Sequence, residues 1–139
     1  MIVLDTNVVS EAMRPEPDSA VMNWLNAQEA NTLYLSSVTL AELLFGIGVL
    51  PDGRRKAGLV QALDRLMGLF SGRVLPFDQT AAQRYGEIAV VARSVGRPLP
   101  AVDGYLAATA AASGYALATR NIRHFIDTGV ELINPWQEH

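Results

Sequence analysis

Four polar positions stand where an apolar core would be expected, and their residue types could do chemistry together. The chain opens "MIVLDTN", so four apolar residues, Met1–Leu4, run straight into Asp5. Glu42 lies one turn into the otherwise apolar "TLAELLFG", and Asp103 heads the alanine-rich "DGYLAATAAA". Asn121 follows the apolar "YALAT" in "TRN". A carboxylate at the edge of a core is costly unless it is hydrogen-bonded, capping or bound to a cation. Three carboxylates drawn to one point repel one another, and a divalent cation is the usual way to keep them all ionised. Oxygen-only donors select a hard ion, Mg²⁺ or Mn²⁺ rather than zinc. The chemistry that follows is phosphodiester hydrolysis by a metal-activated water, which needs no nucleophilic side chain.

Each residue also has a structural reading. Thr39 and Glu42 have capping-box spacing, and Asp103 in a first helical turn is favoured by the helix dipole. Asp5 reads equally as an Asp-turn, and Asn121 as the cap of a short helix.

The elements that must position these residues alternate between strand and helix. Met1–Leu4 reads as a buried strand, followed by a short helix near Val8–Met13 and the turn "RPEP". Asp18 caps a predicted helix over Ser19–Ala27, and "TLYLS" at 32–36 is a second strand. "TLAELLFGIGVL" is helical, "PDG" at 51–53 is a turn, and Leu59, Val60, Leu63, Leu66, Met67 and Phe70 keep the spacing of a helix with one buried face. "RVLPF" is a short strand placed near an edge by its proline. Asp78 caps a helix to about Arg93 that Gly96 ends. "AVDGYLAATAAAS" is a small-residue helix ended by Gly114, and "YALAT", a turn of helix at Ile122–Phe125 and the strand "VELIN" close the chain. This alternation predicts a three-layer α/β/α sandwich with a mainly parallel sheet, Met1–Leu4 central and "VLPF" nearer an edge. In such sheets ligands bind beyond the carboxyl ends of the strands, where Asp5 and Asn121 fall.

The chain has 139 residues, half of them hydrophobic and 18% charged, which predicts a single domain over 1–139 with a substantial core. It has no cysteine and only two histidines, His124 and His139, which excludes disulfides and cysteine-based zinc and disfavours a two-histidine nuclease. The uncharged stretch Gly104–Thr119 is too short for a membrane span, and Asp5 and Glu11 spoil a signal-peptide reading, so the expected location is the cytoplasm, with no membrane partner. A net charge of −3 argues against coating nucleic acid by general electrostatics. Local arginines can still hold phosphates, and ten of the eleven basic residues are arginine.

"MIVLDTNVVSE", "SSVTLAELLFGI", "DGYLAATAAASGYALATRN" and the closing "NPW" together resemble PIN-domain toxins of the VapC type, especially the FitB-like branch. The resemblance runs from Met1 to about Trp136. It implies a Mg²⁺-dependent endoribonuclease, with Mn²⁺ as a substitute, acting as the toxin of a toxin–antitoxin pair and held inactive by a small antitoxin. It also carries Asp5, Glu42 and Asp103 onto the family's three principal acidic positions, as catalytic and metal-binding residues. Thr6 and Asn7 match the neighbours that position Asp5 and water. Where many relatives carry an aspartate after the strand this chain has Asn121, and three residues on, in place of another aspartate, His124. Fewer carboxylates imply one well-held ion, with a second arriving only with RNA. Arg120 is placed to contact phosphate. A homodimer is expected, with apolar surface on the helices around Leu59–Phe70 and Asp18–Ala27 facing a second copy or the antitoxin.

Three other readings fit less of the sequence. A haloacid-dehalogenase-type phosphatase needs a second aspartate where Asn7 stands. A receiver-type signalling domain needs a lysine after its last strand, and the only lysine is Lys56. An inactive PIN-like interaction domain would account for Asn121 and His124 but leaves the three carboxylates without a use.

Overall fold

The computed structural model describes residues 1–137, so His139 lies outside the described residues. Five short strands, β1 (Ile2–Leu4), β2 (Leu33–Ser36), β3 (Val74–Leu75), β4 (Ala116–Ala118) and β5 (Leu132–Ile133), form one sheet in the order β3-β2-β1-β4-β5. Every neighbouring pair is parallel. The chain winds from β1 outward to β3, then returns to the other side of β1 to lay down β4 and β5. The topological switch point therefore lies between β1 and β4, whose carboxyl ends are Leu4 and Ala118. As expected from the sequence, β1 is central and the proline-flanked β3 is an edge strand.

Side chains on a strand alternate between the two faces, and here each face has its own core. Leu4 and Ala118 join Val8, Val9, Val21, Leu35, Leu43, Ile47 and Leu63 on one side. Val3 and Leu117 join Ile88, Leu106, Ala107, Ala108, Ala110 and Phe125 on the other. The first face is covered by α1 (Thr6–Ala12), α2 (Ser19–Ala27), α3 (Ser37–Gly48) and α4 (Arg54–Leu69), the second by α5 (Gln79–Ser94) and α6 (Ala101–Ser113). Short 3₁₀ turns occupy Ala30–Thr32 and Ile122–Phe125. This is the three-layer α/β/α sandwich that the alternating pattern implied.

The local signals work as their chemistry requires. Asp18 Oδ1 accepts the N–H groups of Ala20 and Val21, and Asp78 Oδ1 accepts that of Ala81. Gly96 and Gly114 take left-handed backbone angles, φ 76° and 71°, just past α5 and α6. Glu11 is buried, and its carboxylate closes the "RPEP" turn by accepting the Asp18 N–H and pairing with Arg14. Arg73 is also structural. Its guanidinium donates to the carbonyls of Ala30, Leu33 and Leu69 and lies over the Phe70 ring, tying the end of α4 to the start of β2.

Two expectations about apolar faces hold in part. Leu63 on α4 and Phe70 at its C-terminal cap are buried and Leu59 and Leu66 partly covered, so one face is buried as expected, while Val60 and Met67 stay exposed. The helix packs against α3 near the β3 edge of the sheet, so only a narrow stripe is covered. Exposed apolar side chains lie on α4 (Val60, Met67, Leu69), as expected, but not on α2; the others gather on α3 and its cap (Leu44, Phe45, Val49) and on α5 and its cap (Val90, Val91, Val95). Among the described residues no helix is long and apolar enough to cross a membrane.

The alanines of α6 let it approach α5 closely, and Gly104 is the tightest point. A Cβ there would meet the Tyr85 ring at 2.6 and 3.1 Å, and that ring is itself packed at a tilt against Tyr105 with centroids 4.9 Å apart. Gly104→Ala is expected to destabilise the fold by about 1–3 kcal/mol through overpacking. Gly86→Ala on α5 meets open space and is expected to be neutral or stabilising by up to about 1 kcal/mol. Urea denaturation of both variants checks the contrast.

Candidate active site

Asp5 is the first residue beyond β1. Its N–H still belongs to the sheet, donating to the Ala118 carbonyl at 2.9 Å, while its side chain caps α1 by accepting the Thr6 N–H on Oδ1 at 2.6 Å. The Asp-turn and the chemical reading of Asp5 are thus not exclusive: one oxygen caps and the other faces the switch point. Oδ2 accepts the Thr119 hydroxyl at 2.7 Å and the Asn7 amide at 3.3 Å. Thr119 stands just beyond β4 as Asp5 stands just beyond β1, so the parallel register of the two strands brings the pair together across 114 positions of sequence. Thr119 Oγ1 also accepts the Asn121 N–H at 3.0 Å, and Asn7 Oδ1 accepts that of Arg120 at 3.4 Å. The "DTN" and "TRN" segments are in this way laced into one loop cluster.

Glu42 reaches the same cluster through Thr6. The α3 cap is Ser36, whose Oγ accepts the Thr39 N–H at 3.0 Å, so the capping-box reading of Thr39 and Glu42 does not apply. Glu42 is exposed, and its Oε1 accepts the Thr6 hydroxyl at 2.7 Å. Thr39 Oγ1 lies 3.3 Å from both Thr6 Oγ1 and Ser36 Oγ. A hydroxyl has a single proton to donate. With Thr6 donating to Glu42, the chain of donors runs from Ser36 through Thr39 and Thr6 to the carboxylate.

Asp103 sits in the first turn of α6, half-buried, with Oδ2 3.0 Å from His124 Nδ1. The negative charges of Asp103 and Glu42 both act on Asp5. Burial is the largest influence on the Asp5 carboxyl and raises its pKa above the ordinary 3.8; the Thr119 and Thr6 hydrogen bonds lower it, and the charges of Asp103 and Glu42 raise it again. All the charged side chains that shift it are acidic. Among the described residues no three acidic or histidine side chains are gathered tightly enough to form a ready-made metal cluster.

Asn121 does not cap the turn that follows it, since its side chain makes no cap hydrogen bond. With Arg120 and His124 it lines a cavity of about 800 Å³ beside the acidic centre. The structure thus joins Asp5, Thr6, Asn7 and Glu42 by hydrogen bonds, sets Asp103 beside them with His124, and leaves Asn121 and Arg120 on the adjoining wall. Sequence reasoning missed Thr119 and Ser36, and it read Thr39 only as a helix cap. The available signal was a hydroxyl residue ending an apolar strand, as Ser36 and Thr119 both do.

A parallel three-layer fold with an acidic centre at its switch point is a defined class of α/β domain, and comparison with known proteins places the chain within it. Residues 2–130 match the PIN domain model. The chain belongs to the PIN domain family. It is 45% identical over 138 residues to the VapC ribonuclease Y4jK of Sinorhizobium fredii, covering 99% of each chain. It is 41% identical over 139 residues to the toxin FitB of Neisseria gonorrhoeae, covering 99% of this chain and 100% of that one. A solved structure of FitAB bound to an IR36 DNA fragment superposes with a TM-score of 0.95 at 39% identity, over 100% of this chain and 98% of its counterpart.

The raised Asp5 pKa has a defined consequence for stability. The folded chain holds the Asp5 proton more tightly than an unfolded carboxyl does at 3.8, so protonation favours the fold. This contribution is fully present below 3.8 and is lost as pH rises through the higher folded-state value. Thr119→Val removes a hydrogen bond that holds the pKa down, so the window in which stability is lost extends further upward. Above that window the variant is expected to be less stable by about 1–3 kcal/mol. Urea denaturation of both proteins across pH checks the direction and the window.

Proposed function

We propose that this chain is a metal-dependent endoribonuclease, the toxin of a toxin–antitoxin pair. The observation that carries the reading is Asp5, a buried carboxyl at the switch point on which two further negative charges act. Such a centre favours a divalent cation, whose binding would offset the burial and the repulsion together. The donors are oxygens and fit Mg²⁺, with Mn²⁺ as a substitute. Mg²⁺ is usually held by one or two carboxylates and several waters, so a cage of three converged carboxylates is not required. Asp5, Glu42 and Asp103 would hold the ion, which supplies an activated water and offsets charge on the phosphate and leaving oxygen.

The surrounding residues have distinct tasks. Thr119, Asn7 and the Thr6 N–H fix both oxygens of Asp5, and the Thr6 hydroxyl aims Glu42. His124 holds one oxygen of Asp103. Asn121 and Arg120 adjoin the centre on the side where the substrate backbone would run. The relatives named VapC ribonuclease and toxin FitB support RNA as substrate, and the FitAB complex supports a small antitoxin as partner. We place the protein in the cytoplasm as one domain over 1–139 and as a homodimer, with the exposed apolar side chains of α3 and α5 as surface for a second copy.

Incubation with RNA tests the activity. Cleavage is expected with Mg²⁺ or Mn²⁺ and is expected to disappear with chelator and in Asp5→Asn, Asp103→Asn and Glu42→Gln; full activity in chelator would refute it. Thr6→Val leaves the carboxylates in place but frees Glu42, and about 10- to 100-fold weaker Mn²⁺ binding is expected by calorimetric titration.

A further inference from the structure

The cavity of about 800 Å³ beside the acidic centre has a composition that the hydrolytic chemistry does not use. Its volume falls within the roughly 300–1,000 Å³ typical of ligand sites. Asn121 and His124 line it and also touch the acidic centre, Asn121 through the Thr119 hydroxyl that holds Asp5 and His124 through Asp103, so a chain lying across one reaches the other. Arg120 and Arg123 also line it, and among the described residues neither has a carboxylate partner. Arg120 lies over the Trp136 ring, 5.0 Å from its centroid, and Trp24 of α2 lines the cavity half-exposed. These are the only two tryptophans in the chain, and both are at this one place.

We propose that this cavity is a subsite for one unpaired nucleotide flanking the scissile phosphate. The proposal rests on the ribonuclease reading and names the substrate form that reading requires. A centre of three carboxylates repels the phosphate backbone, so the strand must be held from beside it. Arg120 and Arg123 supply that charge in the bidentate form suited to phosphate. Unpaired bases stack on aromatic rings and on guanidinium planes, which Trp24 and the Arg120–Trp136 pair both offer. Asn121 and Gln137 add amide donors and acceptors to the lining. A base paired in a duplex is stacked on its neighbours and cannot enter such a cavity. A docking peptide helix wants a continuous apolar groove, which the arginines and amides interrupt.

The test uses the full chain carrying Asp5→Asn, in chelator, so that no cleavage occurs and metal plays no part. Tryptophan emission is followed during titration with hexauridylate, with a blunt-ended G·C-rich RNA duplex of about twelve base pairs, and with hexaglutamate. Saturable quenching is expected with the single strand, and at least tenfold weaker binding with the duplex. Arg123→Gln, at an exposed position where folding is not at risk, is expected to weaken single-strand binding severalfold. Trp24→Leu keeps apolar bulk but removes the ring, and a loss of roughly 5- to 150-fold is expected, the range of one base–aromatic stack. Circular dichroism confirms that both variants are folded. Equal binding of strand and duplex, binding of hexaglutamate as tight as that of hexauridylate, or unchanged affinity in both variants would overturn the subsite. Metal-dependent cleavage by the unsubstituted chain is scored separately. Binding without cleavage would sink the nuclease reading alone, and cleavage with unchanged binding in both variants the subsite alone.

Discussion

The structure turns on one carboxylate withdrawn from water at the end of its central strand. Asp5 is 6% exposed, and each of its oxygens is occupied by a donor from a different segment. A buried charge of this kind is tolerable only when its hydrogen bonds are made. Thr6 supplies one as the start of α1, and Thr119 supplies another as the end of β4. The central position of β1 and its parallel pairing with β4 are therefore also the conditions under which Asp5 can be buried.

The rest of the acidic centre is built outward from that residue by short polar links. Ser36, Thr39 and Thr6 pass hydrogen bonds from the cap of α3 to Glu42, and Ser36, Thr39 and Thr119 are fully buried. A run of buried hydroxyls in a core of valine and leucine persists only because every member is satisfied. The consequence is that the placement of Glu42 depends on where α1 begins, and hence on Asp5. Asp103 arrives by another route. It is set by the close approach of α6 to α5, which Gly104 and the small residues of α6 permit.

Charge is distributed unevenly around this centre, which reconciles an acidic chain with a nucleic-acid substrate. Asp5, Glu42 and Asp103 concentrate negative charge at the switch point, while Arg120 and Arg123 sit beside it without a carboxylate partner among the described residues. Other basic residues are committed elsewhere. Arg73 binds backbone carbonyls, and Arg97 makes a two-pronged pair with Asp127, at 2.7 and 2.8 Å, between the loop before α6 and the turn after Phe125. The abundance of arginine is thus partly structural, and position rather than composition separates these arginines from Arg120 and Arg123.

What the sequence determined by itself was local or periodic. Asp18 and Asp78 as caps, Gly96 and Gly114 as helix ends, the central β1 and the edge β3 were all legible, because each follows from a side chain's relation to its own backbone or from an apolar period. The acidic residues could be singled out for the same reason: each is a charge where the local pattern calls for an apolar or neutral residue. The family likeness was carried by the ordered set of "DTN", "AELLFGI", "DGYLAATA" and "TRN". The tertiary structure alone decided how those residues meet. The Thr119 bond to Asp5 spans 114 positions, the Thr6 bond to Glu42 spans 36, and the pairing of His124 with Asp103 spans 21. It also decided that Ser36 rather than Thr39 caps α3, that Asn121 caps nothing, and that two tryptophans 112 positions apart (24 and 136) stand beside one cavity. Such contacts depend on strand order and on the register of β1 against β4, and no local period encodes either, because a strand reads the same whichever neighbour it pairs with.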